Sequence, residues 1–169
     1  EDPNSGSSSF LLSGKTSYLD QSSKIFYKYV DSLGLPYNFN DLYGKISFNG
    51  ANGSKLNIFG FHFTDNVDFK SSTKYQWNTQ GIGSKFLLIP GESSTLVEGH
   101  FDYTNYEVTQ TEADNKPRYS QINGFEAGAD FSYYPNKDLL KYGFSVLGFQ
   151  TDFSFTNTVN AVVRQQEFT

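Results

Sequence analysis

Residues 122–150, INGFEAGADFSYYPNKDLLKYGFSVLGFQ, decide how the rest of the chain is read. In an extended backbone, Asn123, Phe125, Ala127, Ala129, Phe131 and Tyr133 fall on one side, and Gly124, Glu126, Gly128, Asp130 and Ser132 on the other. That is the period-two rhythm of a β-strand with two unlike faces. After a polar break at Pro135-Asn136-Lys137-Asp138 the rhythm resumes, with Tyr142, Phe144 and Val146 set against Lys141, Gly143 and Ser145. The stretch predicts a long β-hairpin, one face apolar and the other bearing carboxylates, lysine and glycine.

The same alternation recurs on the N-terminal side. It predicts strands over Ser9–Tyr18, Asp41–Asn49, Lys55–Phe63, Tyr75–Ile89 and Leu96–Thr109. Lys55–Phe63 is apolar on both faces toward its end, which leaves its orientation open. Between the strands, Asp20–Asn40, Thr64–Lys74 and Gln110–Arg118 read as long polar loops, the first able to hold a helical turn around Ser23–Tyr29. Gly50–Ser54, Pro90–Ser93 and Pro135–Asp138 read as short turns. The polar run Thr156–Thr169, ending in Arg164-Gln165-Gln166-Glu167-Phe168-Thr169, reads as loop or as the start of a further element. The expectation is therefore an all-β chain, an antiparallel up-and-down meander of about seven long strands.

Composition narrows the setting. Aromatics make up 18% of the 169 residues, with 17 Phe, 12 Tyr and one Trp, and many alternate with glycine or polar residues. The absence of cysteine excludes a disulfide framework and a thiolate metal site. A net charge of −5 and a pI near 4.9 speak against a nucleic-acid binder, which needs a basic stripe. No apolar run is long enough for a membrane helix, and no basic-then-apolar signal opens the chain at Glu1-Asp2-Pro3. A mean hydropathy of −0.51 is still compatible with a membrane β-barrel, whose lumen face and loops dilute the apolar signal.

Alternation of long loops with short turns is the asymmetry of outer-membrane barrels, and the strands match or exceed the roughly 9–11 residues needed to cross the hydrocarbon. Tyr18, Tyr75, Trp77, Tyr103, Tyr106, Tyr119, Tyr133 and Tyr142 lie near strand ends, where an interfacial aromatic girdle is expected. An odd strand count cannot close a barrel of this kind. The expectation is that residues 1–169 form part of a larger transmembrane β-barrel, or that an eighth strand completes a small one.

Ser9-Phe10-Leu11-Leu12-Ser13-Gly14-Lys15-Thr16-Ser17-Tyr18-Leu19-Asp20 and Leu35-Pro36-Tyr37-Asn38-Phe39-Asn40-Asp41-Leu42-Tyr43-Gly44-Lys45-Ile46 resemble early barrel strands of TonB-dependent outer-membrane receptors of the carboxypeptidase-like regulatory domain type. Trp77-Asn78-Thr79-Gln80-Gly81, Phe155-Thr156-Asn157-Thr158 and Glu167-Phe168-Thr169 fit the same stretch. Lys15-Thr16 departs from the basic pair expected there. The resemblance implies a barrel of about 22 strands with a plugged lumen, in the outer membrane of a Gram-negative bacterium, importing a bulky nutrient with energy from TonB. It implies as partners the outer-membrane lipid, the remaining barrel and plug, the TonB complex through segments outside this chain, and in some receptors a surface lipoprotein.

The candidate residues follow from these faces. Lys15, Lys45, Lys85, Glu98, His100, Asp102, Glu126, Asp130 and Lys141 share the non-aromatic side of their strands and are expected to line the lumen, the carboxylates partnering lysines or a plug. Phe125, Ala127, Ala129, Phe131, Phe144 and Val146 are expected to face lipid, with Pro135–Asp138 on the periplasmic side. Phe26, Tyr27, Tyr29 and Tyr37 are expected to contact cargo, since loops carry specificity. Glu98/Asp102 and Glu126/Asp130 could also serve as acid–base carboxylate pairs. His62 and His100 are distant in sequence, and Asp65-Asn66-Val67-Asp68 lacks the spacing of a calcium loop. The chain is thus expected to be neither an enzyme nor a binder of metal, cofactor or nucleic acid. The rival readings are a self-contained small outer-membrane barrel with a structural or adhesive role, and a soluble carbohydrate-binding β-sandwich or lipocalin-like barrel.

Overall fold

The computed structural model describes residues 5–26, 34–69, 72–91, 94–113, 116–159 and 162–168. They form one antiparallel sheet in strict sequence order, each strand paired with the next. The strands are β1 (Ser7–Thr16), β2 (Tyr37–Asn49), β3 (Lys55–Phe69), β4 (Thr73–Leu88), β5 (Thr95–Glu112), β6 (Pro117–Tyr133), β7 (Leu140–Val159) and β8 (Val162–Phe168). A single short helix, α1 (Leu19–Phe26), sits between β1 and β2. The up-and-down all-β architecture expected from the alternation is present.

Three details differ from the sequence reading. An eighth strand follows β7, beyond the seven counted, in the stretch where Arg164–Thr169 reads as loop or as the start of a further element: it pairs from Val159↔Val162 to Phe153↔Phe168. The segments read as long loops after β3 and β5 are largely strand. β3 runs on to Phe69 and β4 starts at Thr73, while β5 continues to Glu112 and β6 starts at Pro117. The strict alternation of loop lengths therefore collapses, and only the β1–β2 connection is long. The helical turn also begins earlier than expected, at Leu19, whose N–H is held by the Ser17 hydroxyl at 3.3 Å. Ser23 fixes its far side by accepting the Leu35 N–H at 2.7 Å, and Gly34 turns the returning chain with φ +84°.

β3 to β7 are 15 to 20 residues long, well beyond the roughly 9–11 that cross a membrane at a tilt. The sheet is a single layer, and among the described residues no hydrophobic side chain is buried. A sandwich needs a second sheet packed about 10 Å away, and none lies over this one among the described residues. β1 and β8 are the two edges of the sheet and do not pair with each other, so the eight strands do not close into a small barrel.

Short turns are stapled to one another at one end. Asn52 Nδ2 donates to the Ile89 carbonyl at 2.9 Å, and the Ile89 N–H donates to Ser54 Oγ at 2.9 Å. Gly53 takes φ +86° and Asn136 φ 59°, the left-handed geometry that Gly and Asn accept in tight turns. These turns define what is called here the turn end of the sheet.

Candidate functional site: two faces that exchange chemistry

In an antiparallel ladder, directly paired residues point to the same side. The register therefore sorts every strand. One face carries Lys15, Lys45, Lys85, Glu98, His100, Asp102, Glu126, Asp130 and Lys141 together, through pairs such as Lys85↔His100, Asp102↔Glu126 and Glu98↔Asp130. The orientation of β3, open in the sequence, is settled as well: Phe59 and Phe61 join this face, opposite Lys45 and Tyr43, while Ile58 and His62 take the other.

Near the turn end, this face is built from carboxylates over glycines. His100 sits between Glu98 and Asp102 along β5 and faces Gly128, with Glu126 and Asp130 flanking that glycine on β6. Its Nε2 lies 3.4 Å from Glu126 Oε1. A Cβ on Gly128 would stand 2.7 Å from the imidazole Cε1, so glycine is what lets the ring lie flat across the strand. Gly83 and Gly143 likewise make room for Asp102 and Asp130. Two like-charged pairs directly across the ladder, Asp102↔Glu126 and Glu98↔Asp130, repel. The expected lysine partners do not supply the balance: among the described residues, no ion pair joins Lys45, Lys85 or Lys141 to these carboxylates, and only His100 meets one. No three His, Asp or Glu side chains among the described residues are grouped to hold a metal ion.

Farther along the same strands this face becomes aromatic. Phe61 and Phe63 stack at 4.9 Å, and Tyr75 and Trp77 at 5.5 Å. Arg118 lies over the Phe155 ring at 4.9 Å and pairs with Glu112. Tyr37 pairs with Val67, which pairs in turn with Tyr75, so the loop candidate Tyr37 belongs to this aromatic wall. Phe26 is 71% exposed at the end of α1 and apart from it; Tyr27 and Tyr29 lie outside the described residues.

The opposite face runs the other way. Toward the turn end it is a belt of Leu12, Ile46, Ile58, Ile82, Phe101, Phe125, Phe144 and Val146, between 38% and 72% exposed. Beyond Tyr103 it turns into amides and hydroxyls. Asn123 Oδ1 there accepts from Asn105 Nδ2 at 2.6 Å, Gln121 Nε2 at 3.3 Å and the Tyr103 hydroxyl at 3.3 Å. Tyr119 donates to Gln121; burial first, then the nearby Glu107 and Asp152 carboxylates, push its phenol above the ordinary range. The aromatic girdle read from the sequence thus splits. Tyr103, Tyr133 and Tyr142 border the apolar belt, whereas Tyr75, Trp77 and Tyr106 are on the carboxylate face. Part of this aromatic wall escaped the sequence reading because Tyr37 and Phe155 lie outside the strands predicted there, whereas Phe61, Phe63, Tyr75 and Trp77 lie within them at i, i+2 spacing.

No protein-family model matches the chain, and no curated protein sequence matches it. Solved structures do share its architecture. The hemophore receptor HasR of Serratia marcescens, in complex with its hemophore HasA and heme, superposes with a TM-score of 0.58 at 9% identity over 97% of this chain. The ferric yersiniabactin uptake receptor FyuA of Yersinia pestis matches at a TM-score of 0.43 and 10% identity over 78% of it. The chain spans 23% of the length of HasR and 24% of that of FyuA. At such identity the HasR likeness establishes the fold alone: consecutive antiparallel strands arranged as in part of HasR.

Proposed function

We propose that residues 1–169 are a stretch of the barrel wall of a TonB-dependent outer-membrane receptor, early in the barrel, and that the full protein imports a bulky nutrient. The exchange of chemistry between the two faces carries this reading. Half of the sheet, toward the turn end, is apolar on one side and charged on the other, which suits lipid outside and a wet lumen inside. A belt of about nine residues per strand rises about 3.3 Å per residue, close to the ~25 Å apolar height of such barrels once tilted. In the other half the polarity inverts: amides and hydroxyls face out, and Tyr37, Phe63, Tyr75, Trp77 and Phe155 face in. Above the bilayer, a wall of that kind presents its aromatics to incoming cargo.

In this reading the stapled turns are periplasmic, and the unbalanced carboxylates around His100 face the plug, whose basic groups would neutralise them. The carboxypeptidase-like regulatory domain and any surface lipoprotein partner belong to the rest of the protein. Like the receptors it resembles in fold, the chain acts as a conduit. Single cysteines in the full-length protein, reconstituted in vesicles and spin-labelled, test the assignment. Labels at Phe101 and Ala127 should be reached by oxygen and shielded from a water-soluble nickel chelate, and labels at Asp102 and Glu126 the reverse. Equal access of the chelate to all four positions would sink the proposal.

A further inference from the structure

Between α1 and the ends of β2–β4 away from the stapled turns lies a cavity of about 280 Å³ that the wall reading does not use. Asp20 and Lys24, four residues apart and so on one face of α1, line one side of it. Asp68 and Lys74, directly across the β3–β4 ladder, line the other, and Asn38 faces Asn66 one rung nearer the middle of the sheet. The backbone holds these walls together. The buried Ser23 hydroxyl accepts the Leu35 N–H at 2.7 Å, and the Pro36 carbonyl accepts the Asp68 N–H at 2.9 Å. Gly34, at φ +84°, passes so close to α1 that a Cβ there would stand 3.0 Å from Lys24 Cγ and Cε. The lysine stem is thus laid along the returning chain.

The four charges cancel in sum but not in pairs. Each wall carries one acid and one base, yet among the described residues none of the four has an ion-pair partner. Asn38 is half-buried, and its Oδ1 has no hydrogen-bond partner. A bare cation would be repelled by two ammoniums here and a bare anion by two carboxylates. A sugar would find no aromatic ring to stack on among the described lining residues. Distance disfavours a lipid: Asn38 lies three rungs past Gly44↔Gly60, roughly 20 Å along the strand, whereas headgroups reach only about 5–8 Å beyond the hydrocarbon. A small solute with carboxylate and ammonium on neighbouring atoms satisfies both kinds of wall group at once, through charge-assisted hydrogen bonds.

We propose that this cavity binds a free α-amino acid, its carboxylate taken by Lys24 and Lys74 and its ammonium by Asp20, Asp68 and Asn38. Isothermal titration of the full-length protein in detergent with L-alanine, alaninamide and N-acetylalanine tests it. L-Alanine should bind saturably at this site. Alaninamide, which lacks the carboxylate, and N-acetylalanine, which lacks the ammonium, should each bind about tenfold more weakly, as expected for losing a charge-assisted contact. Lys74→Gln and Asp68→Asn, both at exposed strand ends, should each weaken L-alanine by about tenfold with thermal unfolding unchanged. Lys137→Gln, in the β6–β7 turn, should bind as the wild type does. No saturable binding of L-alanine, equal binding of the three compounds, or unchanged affinity in both cavity variants would overturn the site. Membrane access at Phe101 and Ala127 is indifferent to either outcome, so the wall and the cavity fail separately.

Discussion

Gly83 lies under Phe59 and Asp102, and Gly148 under the Phe125 ring, with a built Cβ 2.1 Å and 2.4 Å from its nearest neighbour. An aromatic ring laid over a strand glycine fills the missing side chain and pins the register. Gly83→Ala or Gly148→Ala should therefore cost about 1–3 kcal/mol through overpacking, whereas Gly91→Ala, with nothing within 4 Å, should stay within about 0.5 kcal/mol. Denaturant unfolding of the full-length protein in detergent reads both; equal effects would refute the distinction. Tyr119 makes a different kind of prediction. Its phenol is raised above 10.0 because burial, then Glu107 and Asp152, disfavour the phenolate. The unfolded chain then gives up this proton first, so the contribution of Tyr119 to stability is complete below pH about 10 and is lost as pH climbs through the folded pKa. Tyr119→Phe should flatten the alkaline fall in stability, and an unaltered slope would show that the phenol is not responsible.

At the scale of elements, the turns and strand ends carry the information that the alternation alone did not. Asn52 and Ser54 tie the β2–β3 turn to Ile89 after β4. Asn52→Ala removes a donor to the Ile89 carbonyl and the acceptor for the Ser54 N–H at 3.1 Å. A loss of about 1–2 kcal/mol is expected from two such bonds at an exposed turn, measurable as a lower unfolding midpoint, with faster amide exchange at Ser54 as the local sign. The hairpin at residues 122–150 was legible because its apolar and charged faces contrast residue by residue. Thr64–Phe69 and Gln110–Glu112 were not, because amides, hydroxyls and carboxylates in place of apolar side chains make a strand look like a loop when hydrophobicity is the only marker. The last strand was missed because its sequence, Arg164-Gln165-Gln166-Glu167 above all, is mostly polar. The nine charged candidates were legible as a set because a period of two fixes the face, but which carboxylate meets which base depends on side-chain reach across strands. That is how Glu126 came to contact His100 and none of the lysines.

Taken whole, the molecule buries no hydrophobic side chain among its described residues, so its stability must come from what touches its two faces and two edges. Residues 1–169 expressed alone in water, without lipid or detergent, should show no cooperative thermal transition by near-ultraviolet circular dichroism. A sharp melt from a monomer would show that the sheet can supply its own core. The same strands that lack a core also lack long-range crossings, since each pairs only with its neighbours in sequence from β1 to β8. From β2 onward, chain closure between partners then spans one short turn at a time, which keeps the entropy of each step small. Assembly can proceed as a zipper in which every completed hairpin offers the next strand a finished template. For evolution, the unit of change is accordingly the hairpin: one can be gained, lost or exchanged at the cost of two ladders, with every other register untouched.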